Sequence, residues 1–364
     1  MKKTNFLSRQ KQQLHTICMI ICCMMILPIM SYADIVVTDS GDAGSGTLRQ
    51  AIIDAMDGET ITFSITGSTI SPTSGEYFIN KNITIDGMMG SVLLEIDGSM
   101  DIGNNSRIFY IAAGKTVTIK NIEIDDAGET NSTTLWGGAI NSEATLLTLQ
   151  NCSFYDCNAY LGGAIRIQTG DVVLDNCLFN NNDSPLVGGA ISSRGSNHYA
   201  YNCAFLNNDS DRGGAIDNES ASWHIYNSTF VGNDAVSSGG GLNNLATIDS
   251  LVNCIFYDNT AGGGPDISST AANINVGTHN LLLDYSGSGL ILNQDNNITG
   301  DPLFTNDYRL TVMTSPAVNA GTTYSDLPNT DIDGNDRNNN CMPDLGCIEY
   351  QGVDIDHIIT VTNK

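Results

Sequence analysis

Five near-copies of one motif occupy the middle of this 364-residue sequence. Gly137, Gly162, Gly188, Gly213 and Gly239 each open a GGAI or GGGL unit, at steps of 25, 26, 25 and 26. Asn151, Asn176, Asn202, Asn227 and Asn253 keep the same steps, and Phe154, Phe179, Phe205, Phe230 and Phe256 follow three residues later. Self-similarity at such a period marks a solenoid, whose units bury their apolar faces against their neighbours. Helical repeats are excluded by content. Gly, Asn, Thr and β-branched residues dominate, and no 3.6-residue apolar period appears.

Each column reads as one position on successive coils. Leu149, Leu174, Ala200, Ile225 and Leu251 stand two residues before the Asn, and Cys152, Cys177, Cys203, Ser228 and Cys254 one after it. Strand alternation would put positions −2, 0 and +2 on one face. The apolar set is instead −2, +1 and +3, so the phase slips at the Asn. One residue in the left-handed region does this, and Asn tolerates that region best after Gly. The columns predict an all-β fold, a single-stranded parallel β-helix with Asn at a corner and Cys and Phe inside. Stacked thiols point alongside one another, a poor disulfide geometry, so the Cys column is expected to hold small buried fillers. Length variation falls between each Phe and the next Gly pair. Segments such as Asn181-Asn182-Asp183 and Asn207-Asn208-Asp209 therefore read as solvated loops, one candidate edge for a partner.

The β-helix is expected over residues 34–300, with regular coils at 137–262 and earlier corners at Asn82 and Asn121. Thr47-x-x-Gln50 reads as a capping box, and Leu48, Ala51, Ile52 and Ala55 share one helical face. They predict a short helix covering the first coil. Residues 301–350 break the period and read as an irregular C-terminal cap, before a short tail at 351–364. Cys341 and Cys347 are close enough in sequence for a local disulfide. At the other end, Lys2, Lys3, Arg9 and Lys11 precede an apolar run at Ile17–Met30, and Ser31-Tyr32-Ala33 offers small residues for cleavage. Residues 1–33 read as a signal peptide of a secreted chain. The run is too short to span about 30 Å of hydrocarbon, so no transmembrane segment is expected in the mature chain. That chain carries 11 basic against 40 acidic residues, a formal charge of −29. Such a field repels nucleic acid and anionic membranes.

The GGAI and FxxN pairs (Phe179–Asn182, Phe205–Asn208, Phe230–Asn233, Phe256–Asn259) resemble the repeats of chlamydial polymorphic outer membrane proteins. Cys157 replaces the Asn in the first copy. The opening GDAGSGTLRQAIIDA and the closing DPLF, YRL, SPAVNAG, DIDGN and DLGCIEY are similar to right-handed parallel β-helix proteins with a choice-of-anchor Q domain. Together these likenesses cover about residues 35–350. They imply a right-handed β-helix at a bacterial surface or outer membrane. The expected role is adhesion, or binding of glycans or of host or neighbouring surface proteins, without catalysis.

By family analogy, β-helices also host pectate lyases and polygalacturonases. Asp125-Asp126 and the RIQ of Arg166–Gln168 partly echo the polygalacturonase pattern, but no Gly-His-Gly occurs. Alternate positions after the GGAI strand place Glu143, Arg166, Arg194, Asp217 and Glu219 on one surface, with His198 and His224 on the following strand. Arg194 and Glu219 share a column and could pair, a common and weak surface arrangement. Arg166, Arg194, Asp217 and Glu219 form the candidate catalytic set of the alternative reading, a polysaccharide lyase or glycoside hydrolase. The DIDGND stretch sets Asp331, Asp333, Asn335 and Asp336 around a Gly, as hard calcium ions prefer, or as a simple turn. No other cofactor is expected.

Overall fold

The computed structural model describes residues 34–99, 107–129, 133–288, 296–305, 308–310, 312–323, 327–337 and 342–351. The expected signal peptide, most of the tail and Cys341 lie outside the described residues.

Four short strands make one regular coil. After the Gly pair at Gly162 come Ile165–Ile167, Asp171–Asp175, Leu178–Asn180 and Asp183–Val187. Equivalent strands of successive coils pair in parallel: Ile165 lies opposite Ile191, then Ile216, then Leu242. The chain is a parallel β-solenoid of about nine turns with a single short helix among the described residues. Its strands form an 18-stranded sheet over two faces, an 8-stranded sheet of Phe strands and a 4-stranded sheet.

The interior is the expected one. Phe154, Phe179, Phe205, Phe230 and Phe256 are buried in one stack, with ring centroids 4.8, 4.9, 4.6 and 4.4 Å apart. Each buried Phe contributes about 1.5–3 kcal/mol. Cys152, Cys177, Cys203 and Cys254 are free buried thiols. Burial pushes the Cys254 thiol up to about 12, which keeps it protonated and inert. Of the expected local disulfide, Cys347 is a free buried thiol.

Asn151, Asn176, Asn202, Asn227 and Asn253 turn the corner with φ of 50, 54, 53, 48 and 58°. Their amides also ladder. Asn176 donates to Asn151 at 3.2 Å and accepts from Asn202 at 3.0 Å. Asn121 keeps the pattern at φ 59°. Asn82 does not: register places Gly87 next after the Asp86–Lys120 pair, opposite Asn121. Asn82 lies before that strand and binds Asp57 at 2.8 and 2.9 Å. A left-handed non-Gly residue costs about 1–2 kcal/mol. We therefore expect Asn176→Ala to lose about 1–2 kcal/mol more in urea melts than Asn176→Gly, which loses the amide bonds but keeps the turn. Equal losses would mean that the backbone angle is not what the Asn supplies.

The expected solvated loops hold for Asn181, Asn207 and Asp209, which are exposed, and need correction at the Asn after Asn181 and its equivalents. Asn182, Asn208 and Asn233 are fully buried and point inward. Asn208 accepts from the Asn182 backbone N–H at 3.0 Å and side chain at 2.8 Å, then donates to the Phe179 carbonyl at 3.1 Å and Asn233 at 2.9 Å. Amides can occupy an apolar interior because these bonds satisfy them. The residues after them form the fourth strands, Asp183–Val187, Asp209–Arg212, Asp234–Ser238 and Thr260–Ala261. The extra residue of a 26-residue coil is taken up there, by register shifts between Ser184 and Val187 and between Ser210 and Arg212.

The N-terminal helix α1, Leu48–Asp54, is capped by Thr47 and buries Leu48, Ala51 and Ile52. Gln50 turns to Asp54 at 2.8 Å rather than back to Thr47, so only half of the capping box forms. The irregular C-terminal region runs along the solenoid flank. Thr330 accepts from the Asn202 side chain at 2.9 Å, and buried Arg337 donates to Asn202 at 2.9 Å. Ile332, Cys347 and Ile348 pack on Leu206 and Val231, the outward side of the Phe strands. Among the described residues, no helix is long and apolar enough to cross a membrane.

Candidate functional surface

The outward column of the first strands reads Asn141, Arg166, Ser192, Asp217 and Asn243 in strict register. All five are buried. Arg166 donates through Nη1 to Ser192 Oγ and Glu219 Oε1, and Arg194 Nε donates to Glu219 Oε2 at 2.7 Å. The Trp136 ring lies 6.0 Å from the Arg166 guanidinium carbon. Burial alone would raise the Glu219 carboxyl, but hydrogen bonds and charge from Arg166 and Arg194 outweigh it and hold the group below its ordinary range. Three of the four candidate catalytic residues thus meet, and the expected Arg194–Glu219 pair forms.

Asp217 is the fourth. Its Oδ1 accepts from Asn243 Nδ2 at 2.6 Å, while Oδ2 is buried without a partner. Burial pushes its carboxyl up to about 6, against the opposing pull of Asn243, Arg212 and Arg166. The folded value lies above the unfolded value of about 3.9. Stability from this group is therefore complete below pH of about 4 and is lost as pH rises through about 6. We expect Asp217→Asn to flatten the decline between pH 4 and 7 by on the order of 2–3 kcal/mol in chemical denaturation. Parallel pH profiles for variant and parent would remove Asp217 as the titrating group.

Glu143 joins a neighbouring network, accepting from Tyr110 at 2.7 Å and Gln168 at 3.2 Å. His198 lies in the core: Nδ1 accepts from the Val172 N–H at 3.3 Å, and the ring meets Trp223 edge-on. Burial lowers its pKa and keeps it neutral. In the DIDGND turn, buried Asp331 accepts through Oδ1 from the N–H groups of Asp333 at 3.0 Å and Asn335 at 2.7 Å. Its Oδ2 accepts from the Glu349 N–H at 2.9 Å and the Asn335 side chain at 3.1 Å. Asp333 pairs with Arg309, and Asp336 bridges to Thr330. Asp125, Asp126 and Asp156 gather acidic oxygens within 4.8 Å elsewhere on the surface. Two of its three members, Asp125 and Asp126, adjoin in the sequence, but Asp156 arrives only through coil stacking.

One array escaped the sequence reading. Tyr199, Tyr201, His224 and Tyr226 sit at outward, half-buried positions of two adjacent second strands. Tyr199 stacks on His224 at 4.6 Å, and Tyr201 on Tyr226 at 5.4 Å. Within a strand, Tyr199 and Tyr201 are 6.1 Å apart and within 11° of parallel. The signal was present: both cross-coil pairs keep the 25-residue step of Asn202 and Asn227. No family model matches this sequence, and no curated protein matches it significantly.

Proposed function

We propose that this chain is an exported bacterial surface or outer-envelope β-solenoid that holds glycans or surface proteins on its outer faces without turning them over. The likeness of its repeats to those of polymorphic outer membrane proteins, and of its ends to choice-of-anchor Q proteins, supports the reading. So do the leader-like first 33 residues. The observation that carries it is the state of the candidate catalytic set. Arg166 and Asp217 are fully buried, and Glu219 is held between two guanidinium groups. Groups committed to one another inside the wall are poorly placed to meet a polymer, whereas a stiff stack of coils presents outer side chains at fixed spacing.

A panel of uronate and neutral glycans tests the proposal. Saturable binding without cleavage supports it, and turnover overturns it. The lyase or hydrolase reading draws on one observation, that Asp217 is raised and Glu219 lowered, the separation that acid–base pairs use. Turnover lost in both Arg194→Ala and Asp217→Asn would establish that reading. Chelation tests the calcium expectation. A melting point that falls on calcium removal in the parent and in Asp156→Asn but not in Asp333→Asn would assign the ion to the DIDGND turn; an unchanged one would leave Asp331 as a hydrogen-bonding turn residue.

A further inference from the structure

Phe256 is buried in the core stack, so the next residue on its strand faces outward, because successive strand side chains point opposite ways. That residue, half-buried Tyr257, meets Phe304 of the C-terminal region edge to face, with ring centroids 6.3 Å apart and planes at 77°. Tyr308 meets Phe304 in the same manner, at 6.3 Å and 81°. These three rings line a cleft of about 800 Å³ between the solenoid wall and the C-terminal region. Small-molecule sites span roughly 300–1,000 Å³. Asp258, Asp301 and exposed Val312 line the same cleft. Among the described residues, no basic side chain lines it, and Arg309, next to Tyr308 in the chain, pairs with Asp333. Burial raises the Tyr257 phenol, and the charges of Asp301 and Asp258 raise it further, so both carboxylates lie close to that ring.

We propose that this cleft binds a methylated ammonium group of the kind choline carries. Aromatic rings attract cations electrostatically, and the contact strengthens as water is excluded. Asp258 and Asp301 supply the counter-charge, and the chain's strong negative charge draws cations toward its surface. The rings and Val312 decide which cation. A metal ion such as calcium takes six to eight oxygen ligands and gains nothing from an apolar wall. A primary ammonium is strongly hydrated and brings three N–H donors that need acceptors. Asp301 Oδ1 already accepts from the Leu303 N–H at 2.8 Å. A methylated ammonium keeps the charge, brings few or no donors and presents methyl groups to the rings. The site stands apart from the glycan and protein reading above, and neither depends on the other.

Calorimetric titration of the full chain with choline tests the proposal, beside its neutral isostere 3,3-dimethylbutan-1-ol, ethanolamine and calcium chloride. Three variants are compared: Tyr257→Leu, Asp258→Asn/Asp301→Asn, and Glu95→Gln/Glu123→Gln, which removes two charges from another face. The Asn pair keeps the shape of the cleft, so it decides the matter if Tyr257→Leu unfolds. Choline is expected to bind saturably and at least about tenfold more tightly than the isostere or ethanolamine. Its affinity should fall about tenfold in the first two variants and stay within about twofold of the parent in the third. No choline binding would overturn the proposal, as would parent-like affinity in the Asn pair. Equal affinity for choline and the isostere would reduce the cleft to an apolar one, and tighter binding of ethanolamine or calcium would overturn the methylated group as its occupant.

Discussion

Replacing Gly189 with Ala should leave little folded protein. A Cβ built there lies 2.5 Å from the Asp209 carbonyl oxygen, 2.7 Å from the Asp209 amide nitrogen and closer still to the Gly214 carbonyl. All three are backbone atoms of the next coil, so no side chain can swing aside. The Gly189 φ is not left-handed, unlike that of Gly188 at 68°. The two glycines of the pair therefore do different jobs: the first turns the chain, and the second lets two coils approach. Separating the coils would break the bonds from Gly189 to Gly213 and from Ala190 to Ala215, each 3.1 Å. We expect a loss above about 4 kcal/mol, seen as insoluble protein or no cooperative melt. A variant melting within a few degrees of the parent would mean that the coils lie farther apart than described.

Phe205→Ala carries the second largest expected effect. Phe205 sits between Phe179 at 4.9 Å and Phe230 at 4.6 Å, with interplanar angles of 3 and 8°. Its removal leaves a ring-sized void whose walls are pinned by coils on both sides, so collapse is limited. The cost should be about 3–5 kcal/mol, read by urea denaturation, and Phe205→Leu should recover a large part of it. Coils interact chiefly with their neighbours, so faster amide exchange should centre on residues 179–230 and fade in both directions. Uniform acceleration along the whole chain would contradict a nearest-neighbour solenoid.

What was legible in the sequence follows from stacking. A column repeats the same environment, so Phe, Cys and corner Asn were readable as inner or turning positions, and Arg194 and Glu219 as a pair. Reading failed where burial and polarity part company. Asn208 looks solvated by composition, but backbone and side-chain groups of the coils on both sides supply its partners. Arg166 looks exposed by alternation, yet it is buried beside Ser192 and Glu219. The C-terminal region lacks a period, and its bond from Arg337 to Asn202 spans 135 positions that no local pattern connects. The outward aromatic array was missed for a simpler reason: Tyr199, Tyr201 and Tyr226 stand in neither an apolar nor a charged column.

The two amide ladders run in opposite senses. Along the corner, Asn151, Asn176, Asn202 and Asn253 donate toward the N-terminus, as Asn202 does to Asn176, while the Asn227 amide nitrogen is buried without a partner. Inside, each donates toward the C-terminus, as Asn182 does to Asn208, until Asn259 meets Asp266 at 3.0 Å. The amide-to-amide bonds of the two ladders therefore run in contrary senses, so a duplicated coil adds one bond of each sense rather than extending a single axial chain. Length is thereby freed as a variable: such a rod could gain or shed units by recombination between copies, with its ends none the wiser.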